Sequence, residues 1–410
     1  MSGRRRICVV VASRANYARI KTALQAIRDH PDLELQLIVA ASALLERFGR
    51  SVDVIEADGF KPDAAIHLII EGENPATMAK STGLGLMELS TAFETLQPDI
   101  VVTVADRFET MATAVAAAYM NIPVAHTQGG EVSGSIDESV RHAVTKLSHI
   151  HFPATELSRR RLIAMGEDPA TVFTVGCPSI DLAACTDVGA PEDALAQFSR
   201  HHGVGAPLDP AKPYLLMMQH PVTTEYGQGL DQINRTLAAV AATDRQALVF
   251  WPNVDAGSEH VAKGIRIFRE LDDNPNFRFF QNLPAEMFAR LMAHCECMVG
   301  NSSSALREGA FFGVPAVTVG TRQQGRECGA NVLEVGHDAD EIAAAIGSQL
   351  EHGRYERDPL FGDGTAGEQI ADVLARVRPT VQKRLHYDEA LLRVDPREDS
   401  APVASSRLPR

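Results

Sequence analysis

The 410-residue sequence is notable first for what it lacks: a surplus of positive charge, a CxxC pair, an HxxxH or HExxH spacing, or a long apolar run. Its 53 acidic against 39 basic residues give a formal charge of −14. That leaves no electrostatic footprint for nucleic acid or anionic lipid. An anion bound here must be held by local donors. The six cysteines are scattered, and Cys295 and Cys297, two apart, are expected on one strand; reduced thiols and a cytoplasmic location are expected. No stretch approaches the roughly 18 apolar residues of a membrane span. The start, MSGRRRICVVVAS, has a basic run before apolar residues, but that run is short, so it is read as a first buried strand rather than a signal peptide. No GxxxxGK[ST] occurs and no GxGxxG turn follows the first strand of either half, which leaves a P-loop or dinucleotide-binding function unsupported.

What is present is alternation. Strand-like RICVVVAS, LELQLIVAA, DIVVTVA and IPVAH are each followed by a helical period, and the rhythm restarts with YLLMMQH, QALVFWPN, NFRFFQN, CECMVGN and VPAVTVG. Such alternation predicts parallel sheets covered on both faces. The expected fold class is α/β with two Rossmann-like domains and a ligand cleft between them. The expected boundaries are 1–185, 186–365, a helix at 366–380, and a disordered tail at 381–410, where Arg, Pro and small polar residues accumulate.

In such sheets, ligands bind where loops leave the carboxyl ends of the strands. In the first half those loops carry Arg14, Asp106, Arg107, His126, Gln128 and Glu131; in the second half they carry His220, Asn253, Asp255, Ser302, Ser303, Arg322 and Arg326. GNSSSALREG predicts a strand end, a hydroxyl-rich turn and a helix starting near Ser304, an arrangement suited to an anion, with Glu308 one turn on to accept from a ribose hydroxyl. HTQGGEVSGSIDESVRHAVTKLSHIHF, residues 126–152, sets a double glycine before a helix from about Ile136 to Ser148. Ser135 and Glu138 match a capping box. Ile136, Val140, Ala143, Val144 and Leu147 are the expected buried stripe, with Asp137 and Arg141 as an i,i+4 pair on another face. His142, His149 and His151 lack metal-ligand spacing, so structural roles are expected.

ADRFE, the 126–152 stretch, VGCPSID, QHPVTTE, WPNVDAGS, GNSSSALREG and GTRQQGRE resemble, in colinear order over about residues 6–375, the hydrolysing UDP-N-acetylglucosamine 2-epimerase family. The resemblance implies a glycosyltransferase-B-type fold whose last helix crosses back to the first domain. It also implies loss of the C2 proton, departure of UDP, a 2-acetamidoglucal intermediate and water addition to give N-acetylmannosamine, with neither metal nor nicotinamide cofactor. UDP-N-acetylglucosamine is the implied ligand, and a homodimer or homotetramer the implied assembly. Asp106 and Asp137 fall on the family's acid/base carboxylates. Arg14, Arg107, His220, Asn253, Ser302, Ser303, Glu308 and Arg322 fall on positions that hold UDP.

The chain also departs from the family pattern. Gln128 stands where members often carry Glu, sometimes His, and an amide cannot exchange a proton near neutral pH. Glu131 or His126 is the expected substitute, with Gln128 pointing into the cleft. Ala18, Ala43 and Ala105 replace Ser, His and Gly, and Glu259 replaces the Lys of the animal enzyme's feedback site. Two other readings remain: an epimerase that retains UDP on the product or takes a modified sugar, and a non-catalytic nucleotide-sugar binder.

Overall fold

The computed structural model describes residues 3–190, 193–196, 203–271, 275–281 and 283–387. Two six-stranded sheets dominate it. The first contains β1 (Arg5–Val11), β2 (Leu33–Ala40), β3 (Ala64–Ile66), β4 (Ile100–Val104), β5 (Val124–Thr127) and β6 (Ile150–Phe152). The second contains β7 (Tyr214–Met218), β8 (Gln246–Phe250), β9 (Phe277–Phe280), β10 (Cys297–Gly300), β11 (Ala316–Val319) and β12 (Val332–Val335). Every pairing between these strands is parallel. The orders are β3-β2-β1-β4-β5-β6 and β9-β8-β7-β10-β11-β12, so both halves follow one winding rule. In each, the strand order reverses beside its first strand, which opens a crevice at the carboxyl ends.

The central strands are buried on both faces. Val9 and Val102 belong to one side's core, Cys8 and Val101 to the other's. This is why they read as continuous apolar runs rather than alternating ones. Strands β3, β6 and β12, and the helix Pro75–Leu96, were not anticipated. Three of these are short edge elements with little apolar run to see. Cys295 caps the end of the helix Ala285–His294 instead of lying on a strand.

The helix Ala366–Arg376 packs on the first half: Ile370, Ala371, Val373 and Leu374 join the core around Ile7 and Leu24. Its start is held by Asp181 of the VGCPSID segment, whose carboxylate accepts from Ala366 N at 3.0 Å and Gly367 N at 2.6 Å. A side chain on Gly367 would fall 2.7 Å from the Thr22 carbonyl carbon, so this crossing requires glycine. Gly362–Gly367 do spell GxGxxG, yet a loop rather than a strand precedes them, so the run is a helix entry and not a dinucleotide turn. Arg5 caps the far end, donating to the carbonyls of Leu374 and Val377.

The tail expectation needs correction for residues 381–387. Lys383 Nζ donates to Thr145 O at 2.7 Å and Ser148 O at 2.5 Å, and pairs with Glu167. Its charge thus neutralises both the carbonyl end of a helix and a buried carboxylate. Residues 388–410 lie outside the described residues. Among the described residues, no helix is long and apolar enough to cross a membrane.

Candidate active site

Loops from the carboxyl ends of both sheets face each other across a cleft of about 1170 Å³ of empty space, open solvent at its mouth included. Arg14, Asp106, Arg107 and Asp137 line it from the first half, and His220, Asn253, Ser302, Ser303, Glu308 and Arg322 from the second. Two turns that position this lining are strained. Ala105 at φ 62° and Gln128 at φ 61° sit in the left-handed region where β4 and β5 end. A non-glycine residue is costly there.

Asp106 and Asp137 share the cleft but hold protons very differently. Burial pushes Asp106 up, yet Arg141, Arg326 and Arg19 outweigh it and keep that carboxyl well below the usual range. Burial and the Asp106 charge push Asp137 up to about 6, against the weaker pull of Arg322 and Arg107. The two titrate as a pair, and the proton that comes off near neutrality resides mainly on Asp137.

Arg141 is what separates them. It was expected to pair with Asp137 on the same helix; instead it is fully buried, donating to Asp106 and, at 2.9 Å, to the Glu131 carbonyl. The inward face of the helix Ile136–Leu147 is therefore Arg141, Val144 and Thr145, while Ile136 is 42% exposed. The capping box also differs: Ser135 Oγ accepts from Asp137 N, and Glu138 reaches back to Ser133 N at 2.8 Å.

The cationic wall is assembled from both halves. Arg107 pairs with Asp255 at 2.9 Å and Glu109 at 3.2 Å, and Arg322 lies 3.7 Å from Asp137 and 3.8 Å from Asp255. Arg14 reaches across to the Gln281 carbonyl at 3.0 Å, and burial lowers it to about 10. Burial, then Arg322, Arg14 and Arg107, hold His220 well below its ordinary value. Its Nδ1 accepts from Asn253 N at 3.1 Å, which assigns the ring proton to Nε2. Asn301 clamps the His220 backbone twice, from its N at 2.7 Å and to its O at 2.9 Å. The expected helix at Ser304 begins only at Glu308; Ser302–Arg307 form tight turns instead, with the Ser302 and Ser304 hydroxyls 2.7 Å apart. Glu308 Oε2 is buried and has no hydrogen-bond partner among the described residues.

Gln128, Glu131 and His126 do not line the cleft, which corrects the expectation that Gln128 points into it. Gln128 is 1% exposed and donates from Nε2 to Cys177 Sγ at 3.2 Å, because its left-handed backbone turns the side chain beneath the floor. Burial opposes ionisation of Glu131, but Arg307, Arg326 and Arg141 hold it down to about 2. A carboxylate so clamped is not available to carry protons. His126, lowered to about 3 by burial, donates from Nε2 to Ala105 O at 2.7 Å and so fixes the backbone before Asp106. Sequence reasoning missed Arg19, which lines the cleft and donates to Ser303, and Arg307, which lies behind it. Arg307 stands four residues after Ser303 in a quoted motif, and that offset was the available signal.

Comparison with known proteins agrees with this geometry. The family model for UDP-N-acetylglucosamine 2-epimerase matches residues 25–375. A UDP-N,N'-diacetylbacillosamine 2-epimerase (hydrolyzing) of Legionella pneumophila is 34% identical over 91% of this chain and 96% of its own. A UDP-N-acetylglucosamine 2-epimerase of Neisseria meningitidis is 31% identical over 90% and 95%. In fold, the chain resembles the Methanocaldococcus jannaschii UDP-GlcNAc 2-epimerase solved with UDP-GlcNAc and UDP, with TM-score 0.75 and 18% identity over 90% of this chain and 99% of that one. The two sheets and the cleft between them are an α/β fold of glycosyltransferase-B type, and the chain belongs to the UDP-N-acetylglucosamine 2-epimerase family.

Proposed function

We propose that this epimerase is of the hydrolysing kind, converting UDP-N-acetylglucosamine to N-acetylmannosamine and UDP. The observation that carries the reading is the Asp106–Asp137 pair, with opposite proton affinities, beside arginines from both halves. Asp137, with its affinity near neutrality, is the better tuned base and takes the C2 proton. The C–H electrons form the C1–C2 double bond as the C1–O bond to UDP breaks. Asp106 stays ionised, anchors Arg141 and raises Asp137. This assigns the base of the two expected acid/base carboxylates to Asp137.

The departing diphosphate gathers charge where Arg14, Arg107, Arg322 and His220 Nε2–H converge, a stabilisation that grows as the bond breaks. Glu308 Oε2 suits a ribose hydroxyl, and the apolar Phe250, Leu283 and Phe288 on the same cleft suit a base. Water then adds its oxygen to C1 and a proton returns to C2. Gln128 lies outside this set, so its amide does not deprive the cleft of its two carboxylates.

The Legionella relative supports a second reading, in which the sugar is UDP-N,N'-diacetylbacillosamine. One NMR time course in deuterated water, run with each nucleotide sugar, tests both. Free C2-deuterated N-acetylmannosamine and UDP are expected. A UDP-bound epimer would overturn hydrolysis, and UDP binding without turnover of either sugar would make the protein a binder.

A further inference from the structure

We propose that Ser133 is a specificity-determining contact to the hexose, its hydroxyl bonding a hydroxyl or acylamino substituent of the ring; this rests on the epimerase reading above. Ser133 lines the same cleft as Asp106 and Asp137, is 8% exposed, and its Oγ has no hydrogen-bond partner among the described residues. The other serine hydroxyls of the cleft are engaged. Ser302 and Ser304 bond each other, Ser303 accepts from Arg19, and Ser179 lies 3.1 Å from Cys177 Sγ. A buried hydroxyl left unpaired is a standing cost that a ligand can remove.

The backbone prevents Ser133 from turning away to solvent. Its N–H donates to Glu138 at 2.8 Å, and the next amide, Gly134 N, donates across the cleft to Arg322 O at 3.1 Å. A Cβ on Gly134 would lie 1.8 Å from Thr321 O, so the loop presses directly on the second half. Two residues back, Glu131 is pinned by Arg307 and Arg326. The backbone that carries the hydroxyl is thus held in place, and the hydroxyl itself is neutral and both donates and accepts. Those properties suit a sugar substituent, whereas the arginines and His220 already answer the diphosphate.

The test is Ser133→Ala, with UDP and UDP-N-acetylglucosamine affinities measured by calorimetry and kcat/KM measured on UDP-N-acetylglucosamine and UDP-N,N'-diacetylbacillosamine. Because the hydroxyl has no partner among the described residues, UDP affinity and thermal midpoint should match wild type. The kcat/KM for the better sugar should fall about tenfold, the worth of one good hydrogen bond, and the preference between the sugars should narrow. Unchanged kcat/KM and preference in a folded variant would overturn the inference while leaving the epimerase reading intact. So would an equal loss of UDP affinity, or a displaced pH limb without altered sugar preference, which would assign Ser133 to Asp137 instead. A wild type that turns over neither sugar would end the epimerase reading. The gain in affinity of UDP-N-acetylglucosamine over UDP, if unaltered by Ser133→Ala, would then end this one too.

Discussion

The buried guanidinium of Arg141 donates to the Asp106 carboxylate from a helix that begins 30 residues further along the chain, with Asp137 one turn before it on the same helix. One arginine thereby keeps one aspartate ionised, and that charge raises the other.

The first prediction follows from this division. Asp137 is raised to about 6, so as a base it is protonated and inactive at lower pH, and kcat/KM should rise through about pH 6. Asp137→Asn should lower turnover by roughly 10²- to 10⁴-fold. Asp106→Asn removes a charge that raises Asp137, so the limb should move to lower pH, with reduced activity because Arg141 loses its ion pair. A limb left in place in Asp106→Asn would show that Asp106 does not set the affinity of Asp137.

The nucleotide wall predicts tight linkage between UDP and stability. UDP alone should raise the thermal midpoint, by about 2.7 kcal/mol of stability at a hundredfold excess over Kd. Ser303→Ala, which removes a cleft hydroxyl held by Arg19, should weaken UDP binding. Cys295→Ser, buried behind β7 in the second core, should alter stability alone. Equal UDP affinity in wild type and Ser303→Ala would remove Ser303 from the nucleotide site.

Ala105 supplies a test independent of chemistry. At φ 62° it occupies the left-handed region, which costs a non-glycine residue roughly 1–2 kcal/mol, partly offset by glycine's greater freedom when unfolded. Ala105→Gly should therefore stabilise the protein by about 1 kcal/mol, read from the urea midpoint at unchanged slope. Destabilisation would mean that the Ala105 methyl packs more strongly than its backbone strains.

Acid should unlock the contact beneath the floor. Glu131 is depressed to about 2 in the folded protein from its ordinary value of 4.5, so its ionised form stabilises the fold above pH 4.5, and that stability is lost as pH falls from there toward 2. Glu131→Gln leaves Arg307 and Arg326 without their buried anion and should cost about 3–5 kcal/mol at neutral pH, with a flatter acid dependence than wild type. Equally steep acid curves for the two proteins would place the sensitive group elsewhere, with Glu167, also held near 2, the next to test.

How far the site was legible depended on the residue. Arg14, Arg107, His220 and Ser302 follow strand ends, and buried parallel strands announce themselves as apolar runs, so these were visible. Arg141 was misread because an i,i+4 count pairs it with Asp137 on its own helix, and only the fold brings Asp106 to neutralise it. Arg19 and Arg307 escaped for a related reason: each acts on a partner in the opposite half or across the floor, a proximity absent from local pattern. Gln128 failed differently. Its position just past β5 was clear, but a left-handed backbone angle decides where its side chain goes, and nothing in the residue type forecasts that angle.

That angle gives the final prediction. With Gln128 donating to Cys177 under the floor, Gln128→Glu should place a carboxylate against a buried thiol instead of beside the sugar. Its desolvation is costly, so the thermal midpoint should fall. The ratio of free sugar to UDP-bound sugar in the product should stay as in wild type, because Asp137 and the arginines that meet the diphosphate are untouched. NMR of the product mixture reads this directly. A shift toward hydrolysed product would mean that the residue swings into the cleft when substrate binds, and that position 128 takes part in water addition after all.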